Sequence, residues 1–232
     1  LNKKWVIEFS NELLKRNLKI RYRVTSRVDT VDEERLSWLR KSGCRSISFG
    51  LETGSEKILR IMKKAVTIEQ AKKAVRMAKK YIPKVEISIM LGYAGEDENT
   101  LKETVSFVND LGIRPWLFYA TPFPGTELYD MALSQGRIRD EEEYLMSLDK
   151  ISIFNLPKNI NLTEMPDNRF QDAINLAARE INRHFFYRDL ARLRLFNLEA
   201  AKRAAMYLIN NGFIKTARKI FRIVDDLKPS VD

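Results

Sequence analysis

The sequence has 232 residues, 44% of them hydrophobic, and a formal net charge of +10, a length sufficient for one sizeable core or for one core plus a helical appendage. No apolar run approaches the roughly 18 residues a membrane span requires, and the opening L-N-K-K-W-V lacks the apolar centre of a signal peptide. A single cysteine, Cys44, excludes an internal disulfide and any metal or iron-sulfur site assembled from several thiolates of this sequence, and it fits a reducing, cytoplasmic setting.

Residues 1–17 carry Trp5, Val6, Phe9, Leu13 and Leu14 at helical spacing. From Ile20 to Ser26, apolar Ile20, Tyr22 and Val24 alternate with Arg21, Arg23 and Thr25, so a strand delivers Arg27 and Asp29 at its carboxyl end. A helix over Val31–Lys41 follows, closed by Gly43 at a C′ position. The next strand begins at Cys44, which reads as a small buried hydrophobe because no base lies nearby. Ile47, Phe49 and Leu51 alternate there with Ser46, Ser48 and Gly50, and the strand stops on Glu52, Thr53 and Gly54. Glu52 either contacts a ligand, as carboxylates at strand ends of α/β proteins do, or caps the following helix.

Helices are expected over Ser55–Met62 and Thr67–Tyr81, with Lys63 and Lys64 between them and a capping box formed by Thr67 and Gln70. Val85–Leu91 is the third strand, closed by Gly92 and the loop G-Y-A-G-E-D-E before a helix over Asn99–Leu111. Trp116–Ala120 is the fourth, closed by T-P-F-P-G-T and a helix over Glu127–Ser134. Four strand–helix units in succession imply a parallel sheet with right-handed crossovers, open or curled into part of a barrel. Their carboxyl ends, at Arg27, Glu52, Gly92 and Thr121, then gather on one rim, which makes that rim the candidate site.

Beyond Gly136 the pattern changes. Asp140–Leu148 is an acidic helix, Ile151–Ile160 is irregular or a short strand, and Leu162–Asn168, with Pro166, reads as a linker. The remainder is helical over Phe170–Leu195, Leu198–Asn210 and Ile214–Leu227, and His184 reads as a packing residue among Phe185, Phe186 and Tyr187. The organisation expected is a barrel portion over 1–136, a connecting segment over 137–167 and a helical tail over 168–232. From Arg169 onward thirteen basic and seven acidic residues contribute +6 of the net charge, spread over helix faces without aromatic interleaving. A solvated surface accounts for it. The alternative is a nucleic-acid-binding module that uses this tail.

Five motifs in one order carry a family resemblance: R-V-D-T-V-D-E-E-R-L at 27–36, S-G-C-R-S-I-S-F-G-L-E-T-G-S-E-K-I-L at 42–59, M-K-K-A-V-T at 62–67, I-M-L-G-Y-A-G-E-D at 89–97 and T-P-F-P-G-T-E-L-Y at 121–129. Together they resemble the radical S-adenosylmethionine (radical SAM) superfamily, closest to the branch whose members often carry an N-terminal cobalamin-binding domain. H-F-F-Y-R-D-L at 184–190 is loosely similar to a helix that follows the barrel in that branch. The resemblance implies a partial (β/α) barrel, about four strands of six, followed by a helical region. It also implies a 4Fe-4S cluster, reductive cleavage of S-adenosylmethionine to a 5′-deoxyadenosyl radical, an electron donor protein and a small-molecule substrate. Carried over residue by residue, it implies that Glu52 meets the ribose hydroxyls or an adjacent polar group, Lys64 the methionine carboxylate, and Arg27 either that carboxylate or Glu52 itself. Ser88 and Gly92 would line the approach to the adenosine, Gly92 because a side chain would block it.

Two departures stand out. Ala94 replaces the usual proline of the G-Y-A-G-E loop, and the cysteine triplet C-x-x-x-C-x-x-C is absent. The sequence therefore reads as the C-terminal portion of such an enzyme, inactive alone, with the edge of its first strand open to self-association. An iron-free partial-barrel enzyme that binds an anionic metabolite at Arg27, Lys64 and Gly92 is the other reading.

Overall fold

The computed structural model describes residues 2–148 and 160–196, with side chains as far as 189, and divides into two units, 1–182 and 183–232. The first unit holds one parallel sheet of order β1-β2-β3-β4: β1 Tyr22–Ser26, β2 Cys44–Glu52, β3 Lys84–Leu91 and β4 Trp116–Tyr119. The helices are α1 Lys3–Lys15, α2 Glu33–Lys41, α3 Glu56–Ile61, α4 Ile68–Tyr81, α5 Glu98–Leu111, α6 Glu127–Ser134, α7 Glu141–Leu148 and α8 Asp167–Phe196. The expected strand–helix order holds, with ends shifted by a residue or two. Membrane crossing has no basis among the described helices, none of which is long and apolar enough.

Alternation along the strands separates two faces. Ile47, Phe49 and Leu51 of β2, with Ile87, Ile89 and Leu91 of β3, are buried with Leu36 and Leu39 of α2, Ile58 and Leu59 of α3 and Val75 and Ala78 of α4. Burying each such side chain stabilises by roughly 1.5–3 kcal/mol, so this is the face that holds the fold together. The opposite face carries Ser48, Gly50, Ser88 and Met90, all only partly buried. A sheet whose second face is small and polar presents it to something other than its own helices.

Helix ends set the loops that frame the site. Thr67 and Gln70 form the expected capping box, and Asp97 and Thr100 form another at the start of α5. Cys44 is fully buried, and burial pushes its thiol up from the usual range. The 137–167 region, expected to connect, packs into the first unit where it is described: Ile138, Ile160 and Leu162 join Ala94, Ala120, Leu128, Tyr129 and Ala132 in one cluster. Leu162 O also accepts from the Gly95 amide and the Glu164 amide donates to Glu96 O, so this stretch extends the barrel's hydrogen bonding rather than hanging free.

The second unit is described only for the end of α8. There His184 is exposed, not packed as expected, and meets Phe185 edge-on with ring centroids 5.1 Å apart. Arg188 lies 4.4 Å over the Phe185 ring. The helices expected at Leu198–Asn210 and Ile214–Leu227, and all but the last residue of the Ile151–Ile160 stretch, lie outside the described residues.

Candidate functional site

The carboxyl end of β2 is its most irregular point. The register against β3 slips between Gly50 and Glu52, and Glu52 takes φ +68, a left-handed conformation that costs a non-glycine residue on the order of 1–3 kcal/mol. The distortion has a visible product. The carboxylate folds back over the strand, so that a Cβ built on Gly50 would lie 2.5 Å from Glu52 Oε1 and 3.8 Å from Ser88 Oγ. Glycine at 50 is what leaves room for the carboxylate on the partly open face, beside Ser88, which pairs with Gly50 across β2 and β3.

Lys64 is delivered by the end of α3. The Lys63 amide donates to Arg60 O and the Lys64 amide to Leu59 O, with Lys63 at φ +53, which together make a Schellman motif on a non-glycine residue. This turn reverses the chain toward the sheet. Lys64 Nζ donates to Glu52 Oε1 and to Gly50 O, both at 2.9 Å. The cap of α3 falls on Ser55, so of the two readings of Glu52, capping drops out. Two donors of the Lys64 ammonium are used and one remains, while Glu52 Oε2 accepts nothing among the described residues.

The loop after Glu52 is tied to α5. Thr53 and Thr104 share a hydroxyl hydrogen bond of 3.0 Å, the Gly54 amide donates to Thr104 Oγ1 at 3.0 Å, and the Ser55 amide to Thr53 Oγ1 at 3.2 Å. Thr104 is wholly buried. In sequence it was one polar residue among several on an amphipathic helix, and only its i,i+4 relation to the buried Thr100 set it apart.

Gly92, at the end of β3, has φ +83, and the Cβ test finds only ordinary contacts there, 3.6 Å to the Phe170 ring. The chain therefore asks for glycine at 92 through backbone conformation, not through lack of space. Its amide donates to Glu96 Oε2 at 2.7 Å. Glu96 is fully buried, its Oε1 has no partner, and burial raises its carboxyl to about 8 despite the amides of Gly92 and Tyr93. Nothing in G-Y-A-G-E-D distinguished Glu96 from its acidic neighbours.

Of the sequence-predicted residues, the structure brings Glu52, Lys64 and Ser88 together. Arg27 is engaged elsewhere, its Nε and Nη2 held by Asp29 at 3.0 and 2.8 Å, so the alternative in which it pairs with Glu52 is not realised. That bidentate contact pulls Asp29 below the usual carboxylate range. The described residues contain no group of three or more His, Cys, Asp or Glu able to hold a metal ion.

A parallel (β/α) half-barrel with an ion pair at its strand ends defines a class of protein, and the comparisons give the proteins it is similar to. Residues 2–108, a little under half of the chain, match the family model of the radical SAM superfamily. It is 33% identical over 137 residues to an uncharacterized methyltransferase of Pyrococcus horikoshii, covering 59% of this chain and 30% of that protein. Against the anaerobic magnesium-protoporphyrin IX monomethyl ester cyclase of Rubrivivax gelatinosus it is 31% identical over 148 residues, covering 62% and 26%. The chain thus spans less than a third of the length of these relatives. Its fold matches coproporphyrinogen III oxidase (HemN) from Escherichia coli, a radical SAM enzyme, with a TM-score of 0.54 over 79% of this chain and 38% of that one, at 14% identity. The architecture is a partial radical SAM (β/α) barrel followed by α8.

Proposed function

We propose that the Glu52–Lys64 rim binds S-adenosylmethionine within a radical SAM enzyme to whose barrel this chain contributes four strands. The observation that carries the reading is the hydrogen-bonding capacity the ion pair leaves over. Lys64 keeps one donor for the methionine carboxylate, and Glu52 Oε2 is an acceptor suited to ribose hydroxyls. Both side chains are partly exposed, 30% and 21%, so exchanging part of their contact for a ligand costs little desolvation. Ser88 and the Gly92 turn extend the rim toward the adenosine. Arg27 stands at its edge, with its guanidinium fork engaged by Asp29.

A 4Fe-4S cluster does not fit the residues of this sequence, which holds one cysteine, buried at position 44. The thiolates that open the cofactor to reduction must come from polypeptide outside these 232 residues, and the chain alone is inactive on this reading. Bound to such a cluster, S-adenosylmethionine supplies radical chemistry, with hydrogen abstraction from a small-molecule substrate the reaction proposed and an electron donor protein required. The motif order supports the branch with a cobalamin domain, and a cytoplasmic setting belongs to the same reading. β1 is the edge of the sheet among the described residues, and self-association through it is proposed; light scattering that finds only monomer at high concentration removes that part.

Calorimetric titration of the chain with S-adenosylhomocysteine, which keeps the carboxylate and the ribose, tests the rim. Binding is expected, weakened about tenfold by Lys64→Ala and by Glu52→Gln, each removing a charge-assisted contact. Equal binding by both variants, with circular dichroism unchanged, refutes the assignment.

A further inference from the structure

The four parallel strands have two ends. The Glu52–Lys64 rim stands at the carboxyl end, and the amino end, roughly 25 Å away along β2, carries a different surface. Every residue from Leu14 to Arg21 is exposed, among them the large aliphatic side chains of Leu14, Leu18 and Ile20 at 46%, 48% and 43%. Between these come Lys15, Arg16, Lys19 and Arg21. The loop has a defined turn. α1 closes in a Schellman motif with Asn17 at φ +52, the Asn17 amide donating to Leu14 O at 3.0 Å and the Leu18 amide to Leu13 O at 2.9 Å.

Neighbouring turns add charge of the same sign. Gly43 sets its backbone against Ile20 O, where a Cβ would clash, and Tyr22 Oη lies 2.6 Å from Ser42 Oγ. The turn between α2 and β2, with Arg40, Lys41 and Arg45, therefore abuts the loop. Lys84 opens β3 at the same level, paired with Ser46. Lys15 and Arg16 share the carboxylate of Glu12, whereas Lys19, Arg21, Arg40 and Arg45 meet no carboxylate among the described residues. Cations in the last turn of a helix answer its dipole, which accounts for Lys15, Arg40 and Lys41. The dipole accounts neither for Arg21 and Arg45, which stand at strand starts, nor for three aliphatic side chains exposed beside them.

Aliphatic side chains interleaved with cations suit an anionic bilayer, the former entering the headgroup layer and the latter meeting lipid phosphates. A single-stranded nucleic acid calls for rings on which bases stack, and the exposed apolar side chains of this loop are aliphatic. None of the described helices can cross a bilayer, so their contact with one is at its surface. We propose that the amino end of the sheet docks on an anionic lipid bilayer through Leu14, Leu18, Ile20 and the cations around them, which turns the Glu52–Lys64 rim away from the membrane. The proposal does not depend on what the rim binds.

The test is co-sedimentation of the full chain with vesicles of phosphatidylcholine, alone or with about 30% phosphatidylglycerol. Partition onto the anionic vesicles is expected to be at least tenfold stronger, and to fall about tenfold between roughly 0.1 and 0.5 M salt. Leu18→Ser should weaken it about tenfold, and Arg21→Glu and Arg45→Glu about fivefold each, with circular dichroism unchanged. Insertion is read separately. Cys44 is buried, so Leu18→Cys carries the one exposed thiol, and an acrylodan label there should shift to the blue on anionic vesicles. The same label on Lys102→Cys of α5 should not shift. Equal partition onto both vesicles, no partition onto either, or an unshifted label at position 18 overturns the proposal. Three other results overturn it as well. Tighter binding to a uridine oligonucleotide than to vesicles would make the face a nucleic-acid surface. A blue shift that grows with protein concentration before vesicles are added would make it a contact between copies. Loss of vesicle binding in Lys202→Glu/Arg203→Glu but not in Leu18→Ser would place the anchor in the basic tail.

Discussion

Glu52 lies over Gly50, two residues earlier on its own strand, with its carboxylate where any side chain at 50 would have to be. The strained backbone at Glu52, the register slip and the Lys64 contact all depend on this fold-back. An acid that occupies a left-handed position where glycine or asparagine would be cheaper is held there by its function or by its partner, and here the partner leaves hydrogen-bonding capacity unused.

Gly50→Ala follows directly. The new methyl group meets the end of a flexible side chain, not backbone, so global stability should change by less than about 1 kcal/mol in urea denaturation. The carboxylate, however, must leave its place beside Ser88. Affinity for S-adenosylhomocysteine should fall about tenfold, as for Glu52→Gln. A Gly50→Ala variant that binds normally would separate the Glu52 geometry from ligand binding.

Gly54→Ala should behave in the opposite way. A Cβ there would lie 2.5 Å from Phe107 Cβ and 2.7 Å from Thr104 Cα, atoms fixed on the α5 backbone and its first side-chain carbon. The loop would have to lift off α5, and a loss of about 2–4 kcal/mol in urea denaturation is expected. Thr104→Val preserves shape but removes the acceptor of the Gly54 amide and the partner of Thr53, and should cost about 1–3 kcal/mol.

These residues mark the limit of what the sequence could yield. Period-two alternation in β2 and β3 and the helical spacing of α4 and α5 were strong enough to give the order of the elements and the buried face, because burial of one face imposes the pattern on every second residue. The meeting of Glu52 with Lys64 was legible only as proximity on one rim. Their hydrogen bond depends on a left-handed turn at Lys63 and on a register slip, neither of which leaves a glycine or proline signal. Arg27 looked like a rim cation because Asp29, which takes its fork, reads in sequence as one more loop acid. The Leu162–Asn168 stretch, with Pro166, reads as a linker although Leu162 and Met165 are buried, since so short a stretch shows no period.

Glu96 yields a pH prediction whose sign is fixed by its surroundings. Its folded carboxyl is raised to about 8 chiefly by burial, whereas an unfolded glutamate titrates near 4.5. The folded state therefore holds a proton that the unfolded state releases between these values. The stability conferred by a neutral Glu96 is complete below about pH 4.5 and is lost as pH rises through about 8, by a few kcal/mol in all. Neighbouring carboxylates such as Asp97, held low by amide hydrogen bonds and by Lys57, act in the acid range and do not cancel this slope. Glu96→Gln keeps an oxygen for the Gly92 amide and cannot ionise. Urea denaturation from pH 5 to 9 should show the parent losing stability steadily from pH 5 to about 8 and levelling off above that, while Glu96→Gln stays level, the two agreeing within about 1 kcal/mol at pH 5. Parallel curves for the two proteins across that range would mean that Glu96 is ionised in the fold and that the Gly92 turn rests on a buried charge instead of a buried acid.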